Sequence, residues 1–131
     1  MTSIFTKILN GEIPGQIIAQ NELYFAILDI NPLAMGHALV IPKKETDYIF
    51  DLEPTELGGF FQFAQQVAKG IEAVVDCKRV GVAVIGLEVP HAHIHLVPMQ
   101  SMDDINFSKP KLQPSNEALA EIGDRLRASI I

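Results

Sequence analysis

The sequence predicts a single α+β domain organised around a five-stranded antiparallel sheet. Three observations carry that expectation. The β-leaning runs at 17–20 and 23–29, and again at 80–85 and 91–98, follow one another across short turns, which makes neighbours antiparallel partners. One long segment between the two groups keeps a helical period almost without error. The chain has 131 residues, room for one ordinary domain and no second.

Taken in order, Ile4, Phe5, Ile8 and Leu9 form one apolar face of a short helix stopped by Asn10-Gly11. Ile17–Gln20 and Leu23–Asp29 read as a hairpin about Asn21-Glu22. Asn31-Pro32 and Met35-Gly36 punctuate a loop, after which His37–Pro42 is the third strand, ended by a residue with no N–H to continue a ladder. Between Pro54 and Asp76, Leu57, Phe60, Phe61, Ala64, Val67, Ala68, Ile71, Val74 and Val75 follow the helical spacing. Pro54 suits the first helical position and Glu56 complements the positive end of the dipole. The stripe is wide enough to cover a sheet and leave surface for a partner subunit. Val80–Ile85 and His91–Pro98 are the last two strands, and Ser115 caps a closing helix to Ile130 with Leu119, Ile122 and Leu126 as its stripe. Residues 1–100 therefore form the domain, and 101–131 a C-terminal extension packed on or near the functional site.

Composition narrows the function. Ten Lys and Arg against sixteen Asp and Glu give a net charge of -6, which argues against broad binding to nucleic acid or an anionic membrane. A small anionic ligand in one local site remains compatible. Cys77 is the single cysteine, so internal disulfides and Cys-based zinc knuckles are impossible, and a reducing, cytoplasmic setting is expected. The longest apolar run is far short of a membrane span, and Lys7 and Glu12 interrupt any leader-like N-terminus.

The chemistry lies in the histidines. Three of four fall at 91, 93 and 95, a spacing that random placement gives roughly once in 700 trials, so it needs a cause. On a strand they share one face, with Ala92, Ile94 and Leu96 turned to the core. A row of solvated surface histidines is the plain alternative. Metal binding is another, but the ends of the trio lie about 13 Å apart on an extended strand. Other ligands would have to come from His37, Glu88 or a remote carboxylate. Phosphoryl transfer uses all three rings without a metal: a neutral imidazole is a competent nucleophile near pH 7, and its neighbours can hydrogen-bond phosphate and protonate a leaving group.

His91-Ala92-His93-Ile94-His95-Leu96-Val97 resembles the signature of the histidine triad (HIT) superfamily of nucleotide hydrolases and transferases. The opening SIFTKILNGEIPG is similar to its N-terminal helix and turn, Leu28–Pro32 to its ribose-contacting segment, and Gly36–Lys43 to its third strand. The resemblance covers residues 3 to about 99 and implies a homodimeric, metal- and cofactor-independent enzyme of the phosphoramidase branch, with a purine nucleotide such as AMP or an AMP conjugate as ligand. By position, it implies His93 as the nucleophile at the α-phosphorus, His95 as the phosphate and leaving-group contact, and His91 and His37 as supporting members. Asp29 matches the carboxylate that accepts from the ribose hydroxyls. Phe5, Ile8 and Ile30 fall where the family packs apolar side chains against the base; as plain core residues they need no ligand. Asp29 likewise serves as a turn residue before Asn31-Pro32.

One segment departs from the family. Ile85–Pro90 is short and places Glu88 where a phosphate-donating Ser or Thr hydroxyl is expected. An ionised carboxylate cannot donate and repels phosphate. This leaves a nucleotide-binding scaffold with little turnover as the competing function.

Overall fold

The computed structural model describes residues 2–130. Its elements run α1 (Ile4–Leu9), β1 (Ile17–Gln20), β2 (Tyr24–Leu28), β3 (Ala38–Pro42), α2 (Pro54–Val74), β4 (Arg79–Ala83), β5 (Ile94–Met99) and α3 (Asn116–Ser129), with short 3₁₀ turns at Ile49–Asp51 and Met102–Asp104. The five strands form one antiparallel sheet in the order β1-β2-β3-β5-β4. The expected α+β class is the observed one.

The central strands β2 and β3 are buried at every position, so both faces of the sheet are covered. On one face Tyr24, Ala26, Leu28, Ala38, Val40, Ile94 and Leu96 pack against Phe60, Phe63, Val67 and Ile71 of α2 and Leu119, Ile122 and Leu126 of α3. The other face is a smaller cluster of Phe25, Ile27, Leu39 and Ile41 under Phe5 of α1. His95 pairs with Leu39 in register, which puts the histidines on this second face, away from α2.

α2 begins with Pro54 at its first position, and the Glu53 amide donates to the Glu56 carboxylate at 3.4 Å. Its wide stripe has a cause that the pattern did not show: α3 lies along it, so Val74 and Val75 join the core beneath the chain's own last helix. Phe61 remains 44% exposed. The width of the stripe alone is therefore no argument for a second subunit, and of its large side chains Phe61 is the one left exposed.

The last strand starts at Ile94, three residues later than the expected His91. The reason lies across the ladder. β3 and β5 pair from Ala38–Leu96 to Val40–Ile94, and two steps further the same register would set Pro42 opposite Ala92. Pro42 has no N–H, and its carbonyl already accepts from His91 Nε2 at 2.6 Å. The Ala92 amide donates instead to the Thr46 carbonyl at 2.7 Å. β4 correspondingly stops at Ala83 rather than Ile85, opposite His95. Among the described residues, no helix is long and apolar enough to cross a membrane.

Candidate active site

All four histidines are buried: His37 and His91 are 0% exposed, His93 7% and His95 9%. That removes the solvated-surface alternative. Buried imidazoles need partners, and here the partners fix which ring nitrogen carries each proton.

His37 stands just before β3. Gly36, at φ 99°, brings the chain in with no room for a side chain, since a Cβ there would lie 2.8 Å from Val75. The Leu33 amide donates to His37 Nδ1 at 3.0 Å, and an amide can only donate, so Nδ1 is the acceptor. The proton therefore sits on His37 Nε2, which donates to His95 Nδ1 at 3.0 Å. His95 in turn keeps its proton on Nε2.

The other pair is set in the same way. His91 Nε2 donates to the Pro42 carbonyl, and its Nδ1 accepts from the Ser3 hydroxyl at 2.6 Å. His93 Nδ1 donates to the His91 carbonyl at 2.8 Å, so Nε2 is the ring nitrogen left for a lone pair. The rings of His93 and His95 lie edge to face with centroids 5.0 Å apart. A nitrogen with a free lone pair thus sits beside a ring whose outer nitrogen carries a proton.

Burial lowers the pKa values of three of these rings. His37 is held down to about 3, chiefly by desolvation and then by His95 and the Lys111 ammonium. His95 is held to about 4 by desolvation, then His93 and Lys111, and His91 is lowered mainly by burial. His37 is therefore neutral at pH 7, and its 3.7 Å approach to Asp29 is not an ion pair. Asp29 is itself pushed up by burial, although the Asn31 amide, Lys111 and His93 pull the other way and Glu88 adds to the rise. Its Oδ1 accepts the Asn31 amide at 2.9 Å, so the turn role is real and leaves Oδ2 unused by it.

The remaining sequence-derived candidates divide. Phe5 belongs to the core and also meets the His93 ring edge-on at 4.9 Å. Ile8 packs half-buried on the same cluster, while Ile30 is 60% exposed beside Asp29. Glu88 is exposed on the 84–93 segment. His91 is fully buried and hydrogen-bonded at both ring nitrogens.

Four contributors had no signal in the pattern. The Ser3 hydroxyl caps α1 by accepting the Thr6 amide at 3.1 Å while it donates to His91. The Ser3 amide donates to Glu45, whose carboxylate lies 3.9 Å from His91 Nδ1. From the C-terminal segment, Phe107 meets His95 edge-on at 4.7 Å and His37 at 6.3 Å. Lys111 Nζ donates to the Phe107 carbonyl at 3.0 Å. Ser3 stood only within the opening segment without a role of its own, and Phe107 and Lys111 lie in a polar stretch without period.

Asp29, His37 and His95 also bring donor atoms within 4.8 Å of one another, the spacing a metal ion needs. The donor chemistry does not fit. The His37 nitrogen that faces this cluster carries the proton, because the other nitrogen is occupied by the Leu33 amide. Ligation would reverse that tautomer and set two N–H groups against each other.

An antiparallel α+β sheet carrying a buried row of tautomer-locked histidines defines a class of site built for imidazole chemistry. The HIT domain family matches residues 10–102, and the chain belongs to that family. It is 35% identical to an uncharacterised HIT-like protein of Methanocaldococcus jannaschii, over 91% of this chain and 97% of that one. It is 29% identical to an adenosine 5'-monophosphoramidase of Schizosaccharomyces pombe, over 99% of both chains. A solved zinc-bound histidine triad family protein of Mycobacterium smegmatis superposes with a TM-score of 0.83 at 30% identity, covering 99% of this chain and 94% of that one.

Proposed function

We propose that the protein is a nucleotide hydrolase or transferase that cleaves nucleoside 5'-phosphoramidates, or related (di)nucleoside phosphates, at the α-phosphorus through a nucleotidyl-His93 intermediate. One observation carries the reading: His93 Nδ1–H is held on the His91 carbonyl, which leaves Nε2 as the lone pair beside His95. That lone pair attacks phosphorus as the bond to the departing group breaks. His95, its proton kept on Nε2 by the His37 bond, hydrogen-bonds the phosphate and helps protonate the departing group. Water then splits the N–P bond, releasing the 5'-nucleotide and restoring the lone pair. Asp29 accepts from the ribose hydroxyls, and Phe5, Ile8 and Ile30 form the apolar wall for a purine such as that of AMP. The phosphoramidase relative supports this substrate class.

No step needs a metal. Hydrolysis of an adenosine 5'-phosphoramidate is expected to survive exhaustive chelation unchanged. Loss of activity restored by zinc would overturn the mechanism.

A second reading, nucleotide binding with little turnover, draws on Glu88, whose charge acts on Asp29. The two separate by pre-steady-state kinetics: a single burst of nucleotide without turnover favours the scaffold, continued release the enzyme.

A homodimer in a cytoplasmic setting belongs to the same proposal. Its support is β4, an edge strand whose Val82 is 54% exposed, with exposed Phe61 on α2. The β1 edge, by contrast, is covered, since Arg127 of α3 donates to the Ile17 carbonyl at 2.9 Å. Light scattering at micromolar concentration should give twice the 14.4 kDa chain mass. A monomer with normal activity would refute the dimer.

A further inference from the structure

The lowered pKa values of His37 and His95 leave the site with a charge problem. A nucleotide phosphate is an anion, and charge builds further on its oxygens and departing group during attack. Yet burial keeps His37 and His95 uncharged at pH 7, and the neighbouring carboxyl groups, Asp29 beside His37 and Glu88 acting on Asp29, supply no positive charge. A cation must come from elsewhere.

The C-terminal segment brings one. Residues 102–114 form a strap pinned along its length: the Asp104 carboxylate accepts the Gln100 and Ser101 amides, and Asp103 pairs with Lys109 at 3.1 Å. The Leu112 amide donates to the Pro32 carbonyl at 2.9 Å, tying the strap to the loop that follows Asp29. Pro110 and Pro114 stiffen the strap. Between these pins the Phe107 ring lies edge-on to His95 with centroids 4.7 Å apart, and Lys111 Nζ donates to the carbonyl of that same Phe107 at 3.0 Å. The Lys111 ammonium is felt at Asp29, His37 and His95 alike. A hydrogen bond from an exposed lysine to one backbone carbonyl is weak enough to exchange for a phosphate.

We propose that Lys111 is a substrate-binding residue, delivered by the strap over His95, that pairs with phosphate on the departing side and directs the site toward nucleotide conjugates whose departing group is itself phosphorylated. The departing side follows from Phe107, which sits on the ring assigned to that group. The inference rests on the phosphoryl-transfer reading above for the identity of that side.

The test uses the full chain and two readouts. In binding, calorimetry with ATP and AMP should show wild type preferring ATP, and Lys111→Met should weaken ATP at least tenfold and AMP by clearly less. Lys111→Arg should restore the preference. In turnover, the ratio of kcat/KM for diadenosine tetraphosphate over adenosine 5'-phosphoramidate should fall at least tenfold in Lys111→Met. Equal losses on both ligands, or none, would overturn the proposal, because a merely structural strap moves both alike. The binding arm stands apart from catalysis: if wild type cleaves neither substrate, the enzymatic reading fails while an ATP preference dependent on Lys111 still upholds the phosphate contact.

Discussion

Replacing His93 with Asn should lower turnover of an adenosine 5'-phosphoramidate by at least ~10³-fold, about 4 kcal/mol of transition-state stabilisation, while nucleotide binding stays close to wild type. Asn keeps similar size and can still donate to the His91 carbonyl that now holds Nδ1, so the local fold has a replacement partner. What it removes is the lone pair. Binding should survive because the contacts proposed for ribose and base lie with Asp29 and the apolar wall, not with this ring. Rapid quench with labelled substrate gives the sharper measurement: wild type should trap an acid-labile nucleotidyl adduct, and His93→Asn none. Replacing His91 should cost less, since both its nitrogens are spent on Pro42 and Ser3. Near-normal turnover in His93→Asn with a dead His95 variant would show the nucleophile to be the other ring.

The same residues show where sequence reasoning stopped. Spacing alone put His91, His93 and His95 on one side and Ala92, Ile94 and Leu96 on the other, because alternation is a local property of extended chain. The start of the strand was not local: it depends on the Pro42 carbonyl being taken by a histidine 49 positions away. Tautomers were equally out of reach: the Leu33 amide and the His91 carbonyl that choose them are near in sequence, but their bonds depend on loop geometry that spacing does not carry. The stripe on α2 was plain in the pattern, but what covers it was ambiguous, and α3 took the face that suggested a partner. Phe107 and Lys111 reach the site through turns and prolines, which carry no periodic signal at all.

Lowering the pH from 7.5 to 5 should cost the fold about 4 kcal/mol from His37 and His95 together. The sign follows from their pKa values. Both lie below the ordinary 6.5, at about 3 and about 4, so between those values and 6.5 the unfolded chain binds more protons than the folded one. Stability from these groups is therefore complete above about 6.5 and drains away as pH falls through the folded values. His91, also lowered, works in the same direction, and Asp29, raised by burial, works against it. Lys111 contributes by repelling a proton from both His37 and His95. Denaturant unfolding across this range measures the slope. In His37→Asn one titrating ring is gone, and the amide can still accept from Leu33 and donate toward His95, so the acid slope should flatten even where the midpoint at neutral pH drops. A slope identical to wild type would mean that His37 does not hold its proton off in the folded chain, and the fixed tautomer at His95 would fall with it.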